Sequence, residues 1–186
     1  MKMRFLGPFF IFIVLVGLLY KGLNHDPAGI HTVLLDKPSP IFEIGTVSDP
    51  QQRVTEALWQ GKVSVLNVWA SWCSVCEAEH TLWIDLAKTQ DQSRWQLVGL
   101  NYHDPLENAR HFLSTQGDPY ALNLFDEQGT LGMEYGVYAT PETFVIDQKG
   151  IIRYRHSGGL TKPEWDRDVW PLIQKLSQTP AEREKK

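Results

Sequence analysis

The chain has 186 residues and a formal net charge of −4. Less a non-globular stretch near its N-terminus, that length suits one domain with a real core. The acidic balance, and the lack of a basic stripe with interleaved aromatics, argue against a nucleic-acid binder. Seven tryptophans and six tyrosines fit a well-packed domain, and composition says little more.

From Phe5 to Tyr20 the chain reads FLGPFFIFIVLVGLLY, with no charge; Lys2 and Arg4 precede it and Lys21 follows. The run approaches the ~20 residues that a bilayer-crossing helix needs. The alternative is a cleaved secretory signal, but no small-x-small cleavage site follows in YKGLNHDPAG. The reading is an uncleaved anchor over residues 1–23. The basic flank keeps the N-terminus cytoplasmic and exports the rest. Residues 24–37, with Gly, Asp and Pro and no clear periodicity, read as a linker. The domain proper is expected over 38–178, with a charged tail over 179–186.

Within that domain PIFEIGTV suggests a short opening strand, and RVTEALWQGK a turn or two of helix or an edge element closed by Gly61. Val63 to Ala70, VSVLNVWA, is a near-continuous apolar run rich in β-branched residues. It fits a strand buried on both faces of a parallel sheet. A helix is expected from the cysteines through CEAEHTLWIDLAK, then a strand over WQLVGLNY. Asp104-Pro105-Leu106-Glu107 offers a cap residue, a first-turn proline and an acid three positions on, so a helix should run from there to about Gln116. ALNLF is the next strand, DEQG a turn, and LGMEYG a short helical piece. PETFVID and GIIRYRHS form a hairpin across Gln148-Lys149-Gly150. Thr161 caps a last helix that Pro171 should kink or split near Trp170. The order predicts a three-layer α/β domain whose sheet is parallel in the middle and antiparallel at one side.

The only two cysteines, Cys73 and Cys76, lie two residues apart where the buried strand gives way to a helix. A structural zinc site needs about four ligands, and two are missing. Covalent haem attachment needs His after the second cysteine, where Glu77 stands. A structural staple would close the smallest of loops, with the smallest entropic gain. Reversible redox chemistry fits best. Free N–H groups and the helix dipole at a helix start lower a thiol's pKa. Cys73 would attack a partner's disulfide, and Cys76, one turn on and more buried, would resolve the mixed disulfide.

VLNVWASWCSVC resembles the active-site segment of thioredoxin-fold proteins. With LFDEQGTLGMEYGVYATPETFVIDQKGIIRYRHSGGL, the stretch from Pro38 to Leu176 is similar to the DsbE/CcmG family. These are membrane-anchored thiol:disulfide oxidoreductases of bacterial cytochrome c maturation. The family's G-V-x-G-x-P-E-T-F stretch stands here as Gly136 to Phe144, with Ala139 for the second glycine; Ser74 replaces the usual proline after the first cysteine.

The resemblance implies a thioredoxin-like fold and a cis Thr140–Pro141 bond facing the cysteines, with the Thr140 backbone free to pair with an incoming peptide. Trp72 would shield the disulfide or touch the partner. Asn67 stands where general thioredoxins carry a buried acid beneath the second cysteine. Proton service would therefore fall to Glu79 or Glu142, each with a plain surface role as the alternative. Trp59, Trp69, Trp83, Trp95, Trp165 and Trp170 read as packing, and none of the six histidines as catalytic.

The implied function is reduction of the disulfide in apocytochrome c, directly or through an assembly partner. Electrons would come from a DsbD-type transmembrane carrier, on the periplasmic side of the inner membrane, with no metal or organic cofactor. A general disulfide oxidase or isomerase, a peroxide-reducing enzyme and a non-enzymatic thioredoxin-fold binding module are the alternatives.

Overall fold

The computed structural model describes residues 6–23, 34–89 and 95–178. The expected charged tail and most of the expected linker lie outside the described residues. The chain divides into two units, residues 1–31 and 32–186. In the first, helix α1 spans Leu6–Leu23. Its 18 residues make a rod of about 27 Å, against a hydrocarbon layer of ~30 Å. Among the described residues no helix is long and apolar enough to cross a membrane.

The second unit is built on a seven-stranded sheet in the order β2-β1-β5-β4-β3-β6-β7. Its strands are β1 (Glu43–Thr46), β2 (Val54–Thr55), β3 (Val63–Trp69), β4 (Trp95–Tyr102), β5 (Leu122–Asp126), β6 (Glu142–Ile146) and β7 (Ile152–Ser157). β3, β4 and β5 are parallel. β6 runs antiparallel to β3 and pairs with β7. β1 also runs antiparallel to β5, so antiparallel pairing flanks the parallel centre on both sides rather than one. The cause is the opening segment, which doubles back through β2 and closes the β5 edge.

All seven residues of β3 are buried, as an apolar strand covered on both faces requires. One face packs under α2 (Ser74–Thr89), α3 (Leu106–Gln116) and the C-terminal helical stretch. Its core holds Val63, Val65, Trp69, Cys73, Cys76, Trp83, Phe112, Trp165 and Ile173. The other face carries Leu66, Val68, Trp59, Tyr135 and Phe144, beneath a 3₁₀ turn (Glu56–Trp59) and α4 (Thr130–Glu134). Gly99 lets two side chains cross over β4: a Cβ there would collide with the Asn123 side chain, whose Oδ1 accepts from Trp69 Nε1 at 3.1 Å.

The last helix starts as α5 (Lys162–Glu164), widens into a π turn over Trp165–Val169 and continues as α6 (Trp170–Ser177). The wider turn, in which the Trp170 N–H donates to Trp165 O, stands just before Pro171, which has no N–H to give, near the expected break. Glu164 reaches back to the Thr161 N–H at 2.9 Å, closing the expected cap. At α3 the helix runs to Gln116 as expected, but its cap is not the expected one. The helix begins at Leu106 with Pro105 as its cap, and the Asp104 carboxylate is committed elsewhere.

Candidate active site

β3 ends at Trp69, and the chain turns through Ala70–Cys73, where the Cys73 N–H donates to Ala70 O at 3.2 Å. α2 then starts, with the Glu77 N–H donating to Cys73 O at 3.1 Å. Cys73 thus takes the cap position, and its Sγ accepts the Cys76 N–H at 3.0 Å, as a serine oxygen does at an ordinary helix start. An amide donor and the helix dipole both favour negative charge on that sulfur. Cys73 and Cys76 are joined as a disulfide with their Cα atoms 5.2 Å apart. Cys76 is the more buried, but narrowly, at 3% exposed against 5%.

The corner is fastened from upstream. Asp104, buried at the end of β4, accepts the Ser71 N–H at 2.7 Å and the Ser71 hydroxyl at 2.8 Å. It also accepts Asn101 Nδ2 at 2.9 Å. Trp72 is 59% exposed and donates its indole N–H to His103 O at 3.0 Å. One loop after β4 therefore holds both residues that precede Cys73. Sequence reasoning gave Asp104 to a helix cap; an acid before a proline signals a turn, and nothing local shows that the turn meets a second loop.

Asn67 and Glu79 meet directly. The Asn67 amide donates to Glu79 Oε1 at 3.0 Å and accepts the Tyr120 hydroxyl at 2.7 Å. Trp83 Nε1 donates to the same Oε1 at 3.1 Å. The Leu160 N–H reaches Oε2 at 2.7 Å. Glu79 is buried, not a solvated first-turn acid. Burial pushes its carboxyl up, and bonds from Trp83, Leu160 and Asn67 pull against that without reversing it. None of these donors is a cation. Trp83 does more than pack, and Tyr120 was missed altogether, because its partner lies 53 positions away in sequence.

The Thr140–Pro141 bond is cis, and Gly158 N donates to Pro141 O at 2.9 Å. Glu142 opens β6 opposite Val68. Alternation along β6 sets it on the face of Phe144, with the second core, while Asn67 and Glu79 belong to the face of α2. Its carboxylate takes a bidentate pair from Arg155, at 2.6 and 2.7 Å, and Arg155 Nη2 also donates to Gly136 O at 2.8 Å. Burial pushes the Glu142 carboxyl up and Arg155 restrains it. Arg155 was missed too: it stands opposite Phe144 on β7, diagonal to Glu142.

This constellation can hold a thiolate at a helix cap and a protonatable acid behind it. The Redoxin family pattern matches residues 35–169. Over 177 residues the chain is 42% identical to the thiol:disulfide interchange protein DsbE of Tatumella citrea, covering 92% of this chain and 94% of that one. This chain belongs to the DsbE family. The DsbE protein of Escherichia coli K12 is 40% identical over 181 residues, 94% of this chain and 96% of that one. Among solved structures, a thiol:disulfide interchange protein of the thioredoxin family from Chlorobium tepidum TLS superposes with a TM-score of 0.61. That match has 24% identity and covers 76% of this chain and 96% of that one. A secreted thiol-disulfide isomerase from Corynebacterium glutamicum gives 0.64 at 17% identity, covering 81% and 96%. These two likenesses are of fold alone, and the fold is thioredoxin-like. As a family member the chain is a thiol:disulfide oxidoreductase.

Proposed function

We propose that the chain is a reductant of c-type cytochrome biogenesis, tethered to the inner membrane by residues 1–23, with residues 38–178 on the periplasmic side as the redox domain. Residues 24–37 serve as linker and 179–186 as a charged tail. The uncharged run Phe5–Tyr20 behind Lys2 and Arg4 supports the tether. The observation that carries the chemistry is the Cys73 sulfur at the cap of α2, accepting the Cys76 N–H.

In the reduced protein the Cys73 thiolate attacks one sulfur of a substrate disulfide. A new S–S bond forms, the old one breaks, and the leaving sulfur departs as a thiolate. Cys76 then gives up its proton and attacks Cys73, releasing the second substrate sulfur as a thiolate, and both substrate thiolates take protons from water to give the dithiol. The Cys73–Cys76 disulfide remains, and two electrons have passed to the substrate. Glu79 takes and returns the Cys76 proton. Trp72, Thr140 and Pro141 line the docking surface for an extended segment of apocytochrome c or of an assembly partner. Glu142 contributes as the anchored end of the Pro141 loop. A DsbD-type transmembrane carrier regenerates the dithiol, and no cofactor takes part.

The test is Cys76→Ala in the membrane-bound full chain. A mixed disulfide through Cys73, with the partner identified by mass spectrometry, is the expected product. Recovery of unmodified Cys73 alone overturns the order of attack. The direction is tested by the potential: a value near ~−270 mV fits a reductant, and one near ~−120 mV an oxidant.

A further inference from the structure

Glu79 is buried beside Asn67 on the cysteine side of β3 and has donors on both carboxylate oxygens. The two oxygens differ. Oε1 accepts Asn67 Nδ2 at 3.0 Å and Trp83 Nε1 at 3.1 Å. The indole nitrogen can only donate, and the amide presents its NH₂ side, so both lone pairs of Oε1 are occupied. Oε2 accepts one donor, the Leu160 N–H at 2.7 Å, and keeps a lone pair.

The orientation of the Asn67 amide rests on Tyr120. Its hydroxyl donates to Asn67 Oδ1 at 2.7 Å, which turns the amide NH₂ toward Glu79. Burial, with the charges of Glu79 and Asp118, keeps that phenol protonated and therefore able to donate. On the Oε2 side the wall is Gly159. A Cβ there would stand 3.7 Å from Oε2 and 2.9 Å from Val75 Cγ1, and Val75, between the cysteines, is half-exposed. The open lone pair thus lies beside a residue with no side chain, which also stands against Val75, the residue just before Cys76.

We infer that Asn67 and Tyr120 are positioning residues: they fill Oε1 of Glu79 with donors and make Oε2 the atom that holds and releases the proton. The inference rests on the reading of Glu79 as the proton carrier for Cys76. It explains why an amide stands at position 67. An acid there would compete with Glu79 for one proton, whereas an amide held by a tyrosine directs it.

The test is the pH profile of the Cys73–Cys76 redox equilibrium, measured for the full chain in detergent micelles against a thiol/disulfide buffer. Glu79→Gln is expected to remove one inflection from the profile. Asn67→Asp, isosteric, replaces a donor by an acceptor and should move that inflection up by about one to two pH units. Tyr120→Phe frees the amide to turn its oxygen toward Glu79 and should move it the same way by less. A merely structural role would lower the thermal midpoint and leave the inflection in place.

The titratable groups facing Glu79 are Tyr120, ahead of β5, His156 on β7 and the cysteines of its own helix. His156→Gln is therefore the control, and the Asn67→Asp shift must survive in that background. If Glu79→Gln removes the inflection while Asn67→Asp and Tyr120→Phe leave it unmoved, this inference is wrong and the Glu79 reading stands. If Glu79→Gln changes nothing, the Glu79 reading fails and takes the inference with it. Should Asn67→Asp not fold, Tyr120→Phe decides alone, since it removes a single hydroxyl.

Discussion

Glu79 and Glu142 are two glutamates at the same end of one sheet, both nearly sealed from solvent, yet they live in opposite electrical surroundings. Glu142 faces a guanidinium in bidentate contact. Glu79 faces an amide, an indole and a peptide N–H. Burial pushes both carboxyls up, but protonating Glu142 would strand the half-buried Arg155 cation, and protonating Glu79 would leave no hydrogen-bonded cation behind. Proton exchange with a thiol is therefore inexpensive at Glu79 and costly at Glu142. Burial alone does not make an acid functional; what decides is whether its neighbours carry compensating charge.

The sharpest way to break the comparison is to remove the cation. Arg155→Met should cost about 3–5 kcal/mol of stability, read from urea unfolding, and the loss should shrink in acid as Glu142 takes up a proton. A stability equal to that of the parent would mean the pair is dispensable. Asp104→Ala comes next, because Asp104 is a buried acid with only neutral donors, like Glu79. Leaving those donors unpaired should cost about 1–3 kcal/mol, with slower disulfide exchange as the corner loosens; an unchanged exchange rate would remove Asp104 from the site.

Glu79→Gln leaves no ion unpaired and should cost only ~1 kcal/mol. Its clearer signature is the pH dependence. Between the ordinary glutamate value and the raised one in the fold, the unfolded chain has ionised while the folded chain keeps its proton. Stability therefore falls as pH rises through that window and returns on acidification. Parallel stability curves for parent and variant across the window would refute this. The smallest effect belongs to a pair in water: Lys162→Ala, which removes the exposed bridge to Asp166, should change stability by no more than about 0.5 kcal/mol.

Much of the sheet was legible because its strands are apolar runs bounded by turn residues. WQLVGLNY became β4 without a shift of boundary, and VSVLNVWA became β3 less its last alanine. The antiparallel β1 edge was not legible, since four residues, EIGT, say nothing about which strand they join. The cysteine pair could be read from spacing alone. The cis bond at Pro141 came only from the resemblance, because nothing in the residues themselves distinguishes it. Tyr120 and Arg155 escaped for a common reason: each acts through a side chain from another element, and that juxtaposition arises only when the sheet assembles. Trp83 reaches Glu79 from four positions on in the same helix, a spacing the sequence does show. Asp104 was seen and given the wrong partner, because an acid before a proline looks like a local cap wherever it points.

The upstream fastening of the cysteine corner has a consequence for variation. Ser74 and Val75, the pair enclosed by the two sulfurs, are solvent-facing, and the seat of Cys73 is set by Asp104 and by the turn from Ala70. Exchanging those two enclosed side chains can retune how tightly the sulfurs hold electrons while the scaffold beneath keeps its shape.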